Sequence, residues 1–170
     1  MLIEVLQIPP EGLDVDLPEE AVELGTSAEV WEGAATVRAT MHIARSGRGL
    51  LINGEMAGQV ALICSRCLER YPFRTEDRLD FYCEMAGAGK TKHEVELSRD
   101  DLDVTYLEEG RIDTDQLLRE SVLLNLPVQP LCREDCRGLC PRCGANLNHE
   151  TCGCDRPPTD PSFQALRTLR

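Results

Sequence analysis

The sequence predicts an α+β fold that is mainly antiparallel β-sheet, with one mid-chain helix and a C-terminal segment organised by its cysteines. Three observations predict it. Polar and hydrophobic residues alternate over much of residues 28–83, a capping sequence precedes a leucine-rich run after residue 113, and six of the nine cysteines fall within residues 132–154. A chain of 170 residues has room for one hydrophobic core and a small appendage. We therefore expect a β-rich domain in residues 1–130 and a cysteine-rich tail in residues 131–170.

The first forty-five residues contain patterns typical of short strands and turns. Residues 2–8 alternate well enough for a strand, which the following prolines end. Pro18 stands before two glutamates and predicts one helical turn. Residues 28–45 mix β-branched and polar positions as half-buried strands do. This part of the chain therefore predicts two strands joined by irregular segments.

The middle of the chain predicts three further strands. Residues 50–63 form a long strand pattern, but Gly54 and Gly58 indicate either a hairpin or a bulged, bent strand. Residues 71–83 and residues 102–107 continue the strand pattern. Consecutive strands with short connections favour antiparallel pairing, and the sheet is expected either to stay open or to close into a small barrel.

Two helices are predicted. Asp113 and Gln116 resemble a capping box that opens a helix over roughly residues 113–125, and Pro127 ends it. A short helix is also expected in residues 160–169, where an N-cap aspartate precedes a proline. Residues 86–92 read as a glycine-rich loop, whose spacing does not match a phosphate-binding loop.

The charge is unevenly distributed. The formal net charge is −12, and residues 131–170 contain six Arg and five Asp or Glu, which leaves −13 on residues 1–130. Such a surface repels a phosphate backbone and suits basic protein partners, although acidity also serves solubility. The sequence has no apolar run long enough for a membrane span and no signal-peptide pattern, so we expect a cytoplasmic protein.

The cysteines are too many for a core in a chain without an export signal, and metal binding is the stronger explanation. Cys140-Pro-Arg-Cys143-Gly144 has the form of a metal-binding knuckle, because proline fixes the backbone and glycine permits a positive φ. Zinc prefers four soft ligands in a tetrahedron. The pair that most simply completes this first site is Cys152 and Cys154, so the C-terminal segment is predicted to bind zinc.

The remaining cysteines invite a second site. Cys64, Cys67, Cys132 and Cys136 would supply four more ligands and fasten the tail to the strands, which gives one or two zinc ions per chain. Alternatively, Cys64 and Cys67 are core thiols or a redox pair. Cys83 is expected in the core, at the end of a strand. His149 could replace one thiolate of the first site, but a place in the loop fits it better.

Taken together, these motifs resemble the YceD family of bacterial and chloroplast proteins that are needed for accumulation of large-subunit ribosomal RNA. The similar segments are Cys64-Ser-Arg-Cys67-Leu-Glu69, Leu124-Asn-Leu-Pro127, the run from Asp135 to Asn148, Cys152-Gly-Cys154, and Asp160-Pro-Ser-Phe-x-x-Leu166. Their order and spacing fit over nearly the whole chain. The resemblance implies a role in the synthesis, processing or stability of large-subunit rRNA, and it implies no catalytic mechanism.

Two classes of function follow. The first is a non-catalytic ribosome-biogenesis factor that binds assembly intermediates or basic ribosomal proteins and contacts rRNA weakly or indirectly, with Arg133, Arg137 and Arg142 as candidate contacts. The second is a redox or electron-transfer protein that uses an iron tetrathiolate or the Cys64/Cys67 dithiol. No carboxylate pair or histidine-containing triad indicates an enzyme, and no small-molecule substrate is expected.

Overall fold

The computed structural model describes residues 1–25, 30–31, 33–85, 104–107 and 109–154. Within these ranges it contains seven strands, one α-helix and a short 3-10 turn at Val5–Gln7. The elements are β1 (Leu2–Glu4), β2 (Leu13–Glu23), β3 (Ala34–Ser46), β4 (Gly49–Ile63), β5 (Arg70–Met85), β6 (Val104–Leu107), β7 (Arg111–Asp113) and α1 (Thr114–Asn125).

The strands form a five-stranded sheet in the order β2-β3-β4-β5-β6 and a small sheet of β1 with β7. All pairs are antiparallel except β5 with β6, which run parallel. The large sheet curls into a half-barrel. The predicted architecture of mostly antiparallel strands with one helix is therefore confirmed, and the described sheet is open, because its end strands β2 and β6 are not paired with each other.

The core lies between the inner face of the half-barrel and α1. Alternate residues of the strands point inward, which is the period that a half-buried strand requires. Fully buried members include Val37, Ile43, Ile52, Leu62 and Leu79. The helix contributes its buried residues Leu117, Leu118 and Val122. Its start is as predicted, because the Asp113 side chain accepts hydrogen bonds from the backbone N–H groups of Asp115 and Gln116, although the Gln116 side chain donates to Glu120 and does not complete a capping box.

Two expectations from the sequence were wrong. Pro18 does not open a helical turn, since it lies within the edge strand β2, where the register shifts between Leu17 and Glu20. Proline is tolerated at such an irregular edge position. Residues 50–63 form neither a hairpin nor a bulge, because β4 pairs in continuous register with both neighbours. Gly54 and Gly58 instead allow close approach of β3, as a Cβ at Gly54 would lie 2.8 Å from the Met41 Cα.

Smaller differences concern the bounds of the strands and the part of the chain that the structure describes. The predicted strand at residues 2–8 is shorter, since the 3-10 turn follows β1 directly. The predicted strand at residues 102–107 is seen as β6, from Val104 onward. The expected loop at residues 86–92 and the expected helix at residues 160–169 lie outside the described residues. Within the described part of the chain, no helix has both the length and the apolar character that a membrane crossing requires.

Candidate metal centres

Four cysteines from two distant parts of the chain form the junction cluster: Cys64, Cys67, Cys132 and Cys136. Cys64 and Cys67 lie in the turn between β4 and β5, whereas Cys132 and Cys136 follow α1. The four sulfurs lie within 4.8 Å of one another. The Cys64–Cys136 separation is 3.7 Å and the Cys67–Cys132 separation is 3.6 Å. A tetrahedral zinc with Zn–S bonds of 2.3 Å needs sulfurs about 3.8 Å apart, so this spacing fits the ion.

Hydrogen bonds hold the two halves of the junction cluster together. Ser65 donates to the Pro130 carbonyl from its backbone N–H (2.9 Å) and from its hydroxyl (3.1 Å). The Arg66 guanidinium donates to the Cys136 carbonyl at 3.0 Å. Tyr71 packs against the buried cysteines. The segment after the helix is thus attached to the β4–β5 turn, which is why the predicted second ligand set comes together.

The other four predicted ligands, Cys140, Cys143, Cys152 and Cys154, form the tail cluster. Their sulfurs also lie within 4.8 Å of one another. The tail cluster is the more accessible of the two, since Cys143 is exposed and only Cys140 is buried. A short antiparallel contact supports it: the Cys140 N–H donates to the Ala145 carbonyl at 2.8 Å. Both ligand sets proposed from the sequence are therefore brought together, and each could hold a metal ion.

Each cluster contains one knuckle of the same geometry. Gly144 has φ +74° and donates its N–H to the Cys140 carbonyl at 2.9 Å. Leu68 has φ +59° and donates to the Cys64 carbonyl at the same distance. A leucine in this left-handed conformation costs about 1–2 kcal/mol relative to the right-handed one, which is why glycine is favoured at this position of a knuckle. Leu68 nevertheless adopts it.

Backbone N–H groups lower the pKa of one thiol in each cluster. At Cys64, burial acts to raise the pKa, but several N–H donors, beginning with that of Cys132, outweigh it and bring the pKa to about 6. At Cys140, the N–H groups of Cys143 and Arg142 lower the pKa to about 6. Because the thiolate is the form that binds metal, each cluster has at least one ligand ready for metal near neutral pH.

Other thiols in the clusters hold their protons more firmly. Burial raises the pKa of Cys67. The hydrogen bond with the Cys143 sulfur raises the pKa of Cys154 to about 12. The Asn148 side chain, by contrast, lowers the pKa of Cys136 by donating to its sulfur. A metal ion that binds all four sulfurs of a cluster must displace these protons.

The remaining candidates have different surroundings. Cys83 is fully buried in the core, as expected. His149 is not a member of the tail cluster, since its Nε2 lies 2.6 Å from the Glu69 carboxylate and lowers the pKa of that group. The Arg133 guanidinium binds within the protein, to Asn148 at 2.9 Å and to Asp135 at 3.4 Å.

Arg137 and Arg142 differ from Arg133 in the contacts of their side chains. Both are exposed, and neither forms a salt bridge with a described residue. Their backbones nevertheless serve the clusters, since the Arg137 N–H donates to Asn148 and the Arg142 N–H to the Cys140 sulfur. The roles of Asn148 and Glu69 were missed from the sequence, because only the folded chain brings Asn148 to Cys136 and Glu69 to His149.

Comparison with known proteins matches the chain to named relatives. An uncharacterized protein of Mycobacterium bovis is 28% identical over 137 residues, which cover 79% of this chain and 63% of the relative. An uncharacterized protein of Mycobacterium leprae is 26% identical over 125 residues, covering 73% of this chain and 55% of the relative. This chain thus corresponds to less than two thirds of the length of these relatives. No solved structure matches it.

Two further matches carry a description. The large ribosomal RNA subunit accumulation protein YCED homolog 1, chloroplastic, of Arabidopsis thaliana is 37% identical over 59 residues, which cover 35% of this chain and 18% of the relative. A family model described as large ribosomal RNA subunit accumulation protein YceD matches residues 52–170. That range includes both cysteine clusters and the larger part of the chain, and the chain therefore belongs to the YceD family.

Proposed function

We propose that the protein is a non-catalytic, cytoplasmic ribosome-biogenesis factor that supports the synthesis, processing or stability of large-subunit rRNA. The observation that carries this proposal is the family match, whose description names accumulation of that RNA. The two cysteine clusters support a structural role for metal, because each could hold an ion. A structural zinc ion in each cluster would hold the described part of the tail, residues 131–154, beside the β-rich domain.

Zinc suits both clusters better than iron or dithiol chemistry does. Four thiolates fill the tetrahedral coordination of zinc and leave no position for a catalytic water. The junction sulfurs lie 3.6 and 3.7 Å apart, which is the spacing around a metal and far beyond the length of a disulfide. Rubredoxin-type iron sites pair two knuckles, whereas each cluster here combines one knuckle with a differently spaced cysteine pair. The closed coordination supports a structural role and a non-catalytic protein.

The charge supports basic partners. Residues 1–130 carry a formal −13, and each zinc with four thiolates would add −2. The edge strand β2 is especially acidic: its exposed carboxylates are Asp14, Asp16, Glu19, Glu20 and Glu23, and it contains no Lys or Arg. Basic ribosomal proteins or assembly intermediates that display them therefore suit this surface, and any contact of Arg137 or Arg142 with rRNA is weak or indirect.

Depletion of the protein from its host should lower mature large-subunit rRNA relative to small-subunit rRNA, because the proposed role concerns only the large subunit. The measurement is the ratio of the two rRNAs, with plasmid-borne variants for complementation. Wild type and Cys83→Ala should restore the ratio, whereas a Cys64→Ser, Cys132→Ser double variant should not. An unchanged ratio, or an equal fall of both rRNAs, would contradict the proposal.

The reduced protein should bind two zinc ions per chain. Replacement of one ligand in either cluster should leave one site, because a three-thiolate remnant binds zinc far more weakly. We therefore expect one tightly bound zinc in Cys132→Ser and in Cys140→Ser, and two in the core control Cys83→Ala. Elemental analysis and titration with excess zinc against a chelator measure this number. A red protein containing iron would instead favour the electron-transfer alternative.

A further inference from the structure

Asn148 lies between the two clusters. Its loop belongs to the tail cluster, but its side chain contacts Cys136 of the junction cluster. It lies in residues 144–151, which connect Cys143 to Cys152 of the tail cluster. Its side-chain Nδ2 donates to the Cys136 sulfur of the junction cluster at 3.3 Å. Its Oδ1 accepts from the Arg137 N–H at 2.8 Å and from the Arg133 guanidinium at 2.9 Å.

These contacts fix the orientation of the amide. Two donors converge on Oδ1, so a flipped amide would place its NH₂ group against an N–H and a guanidinium. The Nδ2–H group must therefore face the sulfur. An N–H donor beside a metal-bound thiolate stabilises its negative charge and orients it, and loss of such a supporting contact commonly weakens metal binding about 10- to 100-fold.

The loop that contains Asn148 begins and ends at cysteines of the tail cluster. The Leu147 N–H donates to the Gly138 carbonyl at 2.9 Å. Within the loop, the Asn148 N–H donates to the Asn146 side chain at 2.9 Å. Residues 144–151 contain few apolar side chains to bury, so metal bound at the tail cluster would add to these hydrogen bonds in holding the loop in this conformation.

We propose that Asn148 is a positioning residue for the junction metal and that it couples the two sites, so that metal bound at the tail cluster raises the metal affinity of the junction cluster. This inference rests on the proposed binding of zinc at both clusters. The coupling must be reciprocal, because linkage requires each site to change the affinity of the other by the same factor.

Titration of the full-length, reduced, metal-free chain with Co²⁺ and then Zn²⁺ tests the coupling. With the tail cluster disabled by Cys140→Ser and Cys143→Ser, the junction site should bind metal about 10- to 100-fold more weakly than in the intact chain. Asn148→Ala alone should weaken the junction site by a similar factor. Combining it with the tail-cluster substitutions should add little. Asn53→Ala, which removes an exposed amide bonded to Asp80 on the sheet, is the matched control and should change neither site.

A second variant separates positioning from a general loss of structure. Asn148→Asp keeps the oxygen that accepts from Arg137 and Arg133 but places a carboxylate oxygen against the Cys136 sulfur. It should weaken the junction site at least as much as Asn148→Ala. In Co²⁺-loaded Asn148→Ala protein, the sulfur-to-cobalt absorption of the junction site should move to longer wavelength, because its thiolate has lost a hydrogen bond.

The outcomes are distinguishable. If neither cluster binds metal, the proposed binding of zinc is wrong, and the role of Asn148 is wrong with it. If both bind metal, but Asn148→Ala and Asn148→Asp match Asn53→Ala in affinity and spectrum, the proposed function stands and the role of Asn148 is wrong. If the tail-cluster substitutions weaken the junction site equally with and without Asn148, coupling runs through another contact, and this also overturns the assignment.

Discussion

Removal of metal by a chelator should unfold residues 131–154 and leave β2–β5 and α1 folded. The tail is rich in Pro, Gly, Cys and charged residues, so binding of metal must supply its folding free energy, on the order of 10 kcal/mol per structural zinc. The sheet and helix share a separate aliphatic core. Hydrogen exchange by NMR, before and after chelation under reducing conditions, measures the change residue by residue.

The backbone hydrogen bonds indicate which amides should report unfolding of the tail. Protection should disappear at Leu139, Cys140 and Leu147, whose N–H groups bond within the tail or to the Arg66 carbonyl. Protection should remain at Ile52 and Met56 in β4, which pair with both neighbouring strands. Cys83→Ala serves as the control, because it changes a core cysteine outside both clusters. The protection of the tail amides and of the sheet amides should be the same in this variant as in wild type. Equal loss of protection in the two parts would show that the metal sites support the whole fold.

The protein should bind basic large-subunit ribosomal proteins more tightly than free large-subunit rRNA. Counterion release cannot drive an acidic surface onto a phosphate backbone. The double reversal Glu19→Lys, Glu23→Lys on β2 should weaken protein binding by at least about tenfold, since like charges opposed across an interface cost a few kcal/mol. Titrations against both partners at several salt concentrations measure the preference.

A matched variant separates the acidic strand from the net charge alone. The double reversal Glu134→Lys, Glu150→Lys makes the same change in charge on the tail and should weaken protein binding less. Tight, steeply salt-dependent binding to rRNA, with no measurable protein partner, would contradict this prediction. If rRNA is bound, Arg137→Ala and Arg142→Ala should lower the affinity for it. Arg133→Ala would be a poor test, because the Arg133 side chain supports Asn148.

The sequence predicted the cysteine groups well because coordination chemistry is local and countable. Spacing alone paired Cys140 and Cys143 with Cys152 and Cys154, and the need for four thiolates then suggested that Cys64 and Cys67 meet Cys132 and Cys136. The start of α1 was also predictable, since Asp113 caps it through neighbours only two and three residues away. Such features depend on the spacing or identity of a few residues, so they can be recognised in a single sequence.

Features that depend on distant backbone contacts were not predictable. Gly54 resembles a turn residue, but its lack of a side chain serves the approach of β3. Pro18 resembles a helix start, although burial of Val15 and Val22 on either side keeps the segment in the sheet. The contact of Asn148 with Cys136 joins residues 12 apart through a folded tail. No periodicity in the sequence reports such a contact.

The junction cluster also sets an order of events during synthesis of the chain. Its paired sulfurs are separated by 72 residues in one case and 65 in the other. Cys64 and Cys67 are therefore made well before their partners, and β5, β6, β7 and α1 are synthesised in between. A metal ion could close this loop only after the segments that form these strands and the helix have been synthesised, and closing it would lower the conformational entropy of the enclosed chain when it unfolds. Closure of the junction by metal would thus be a late event in the synthesis of the chain.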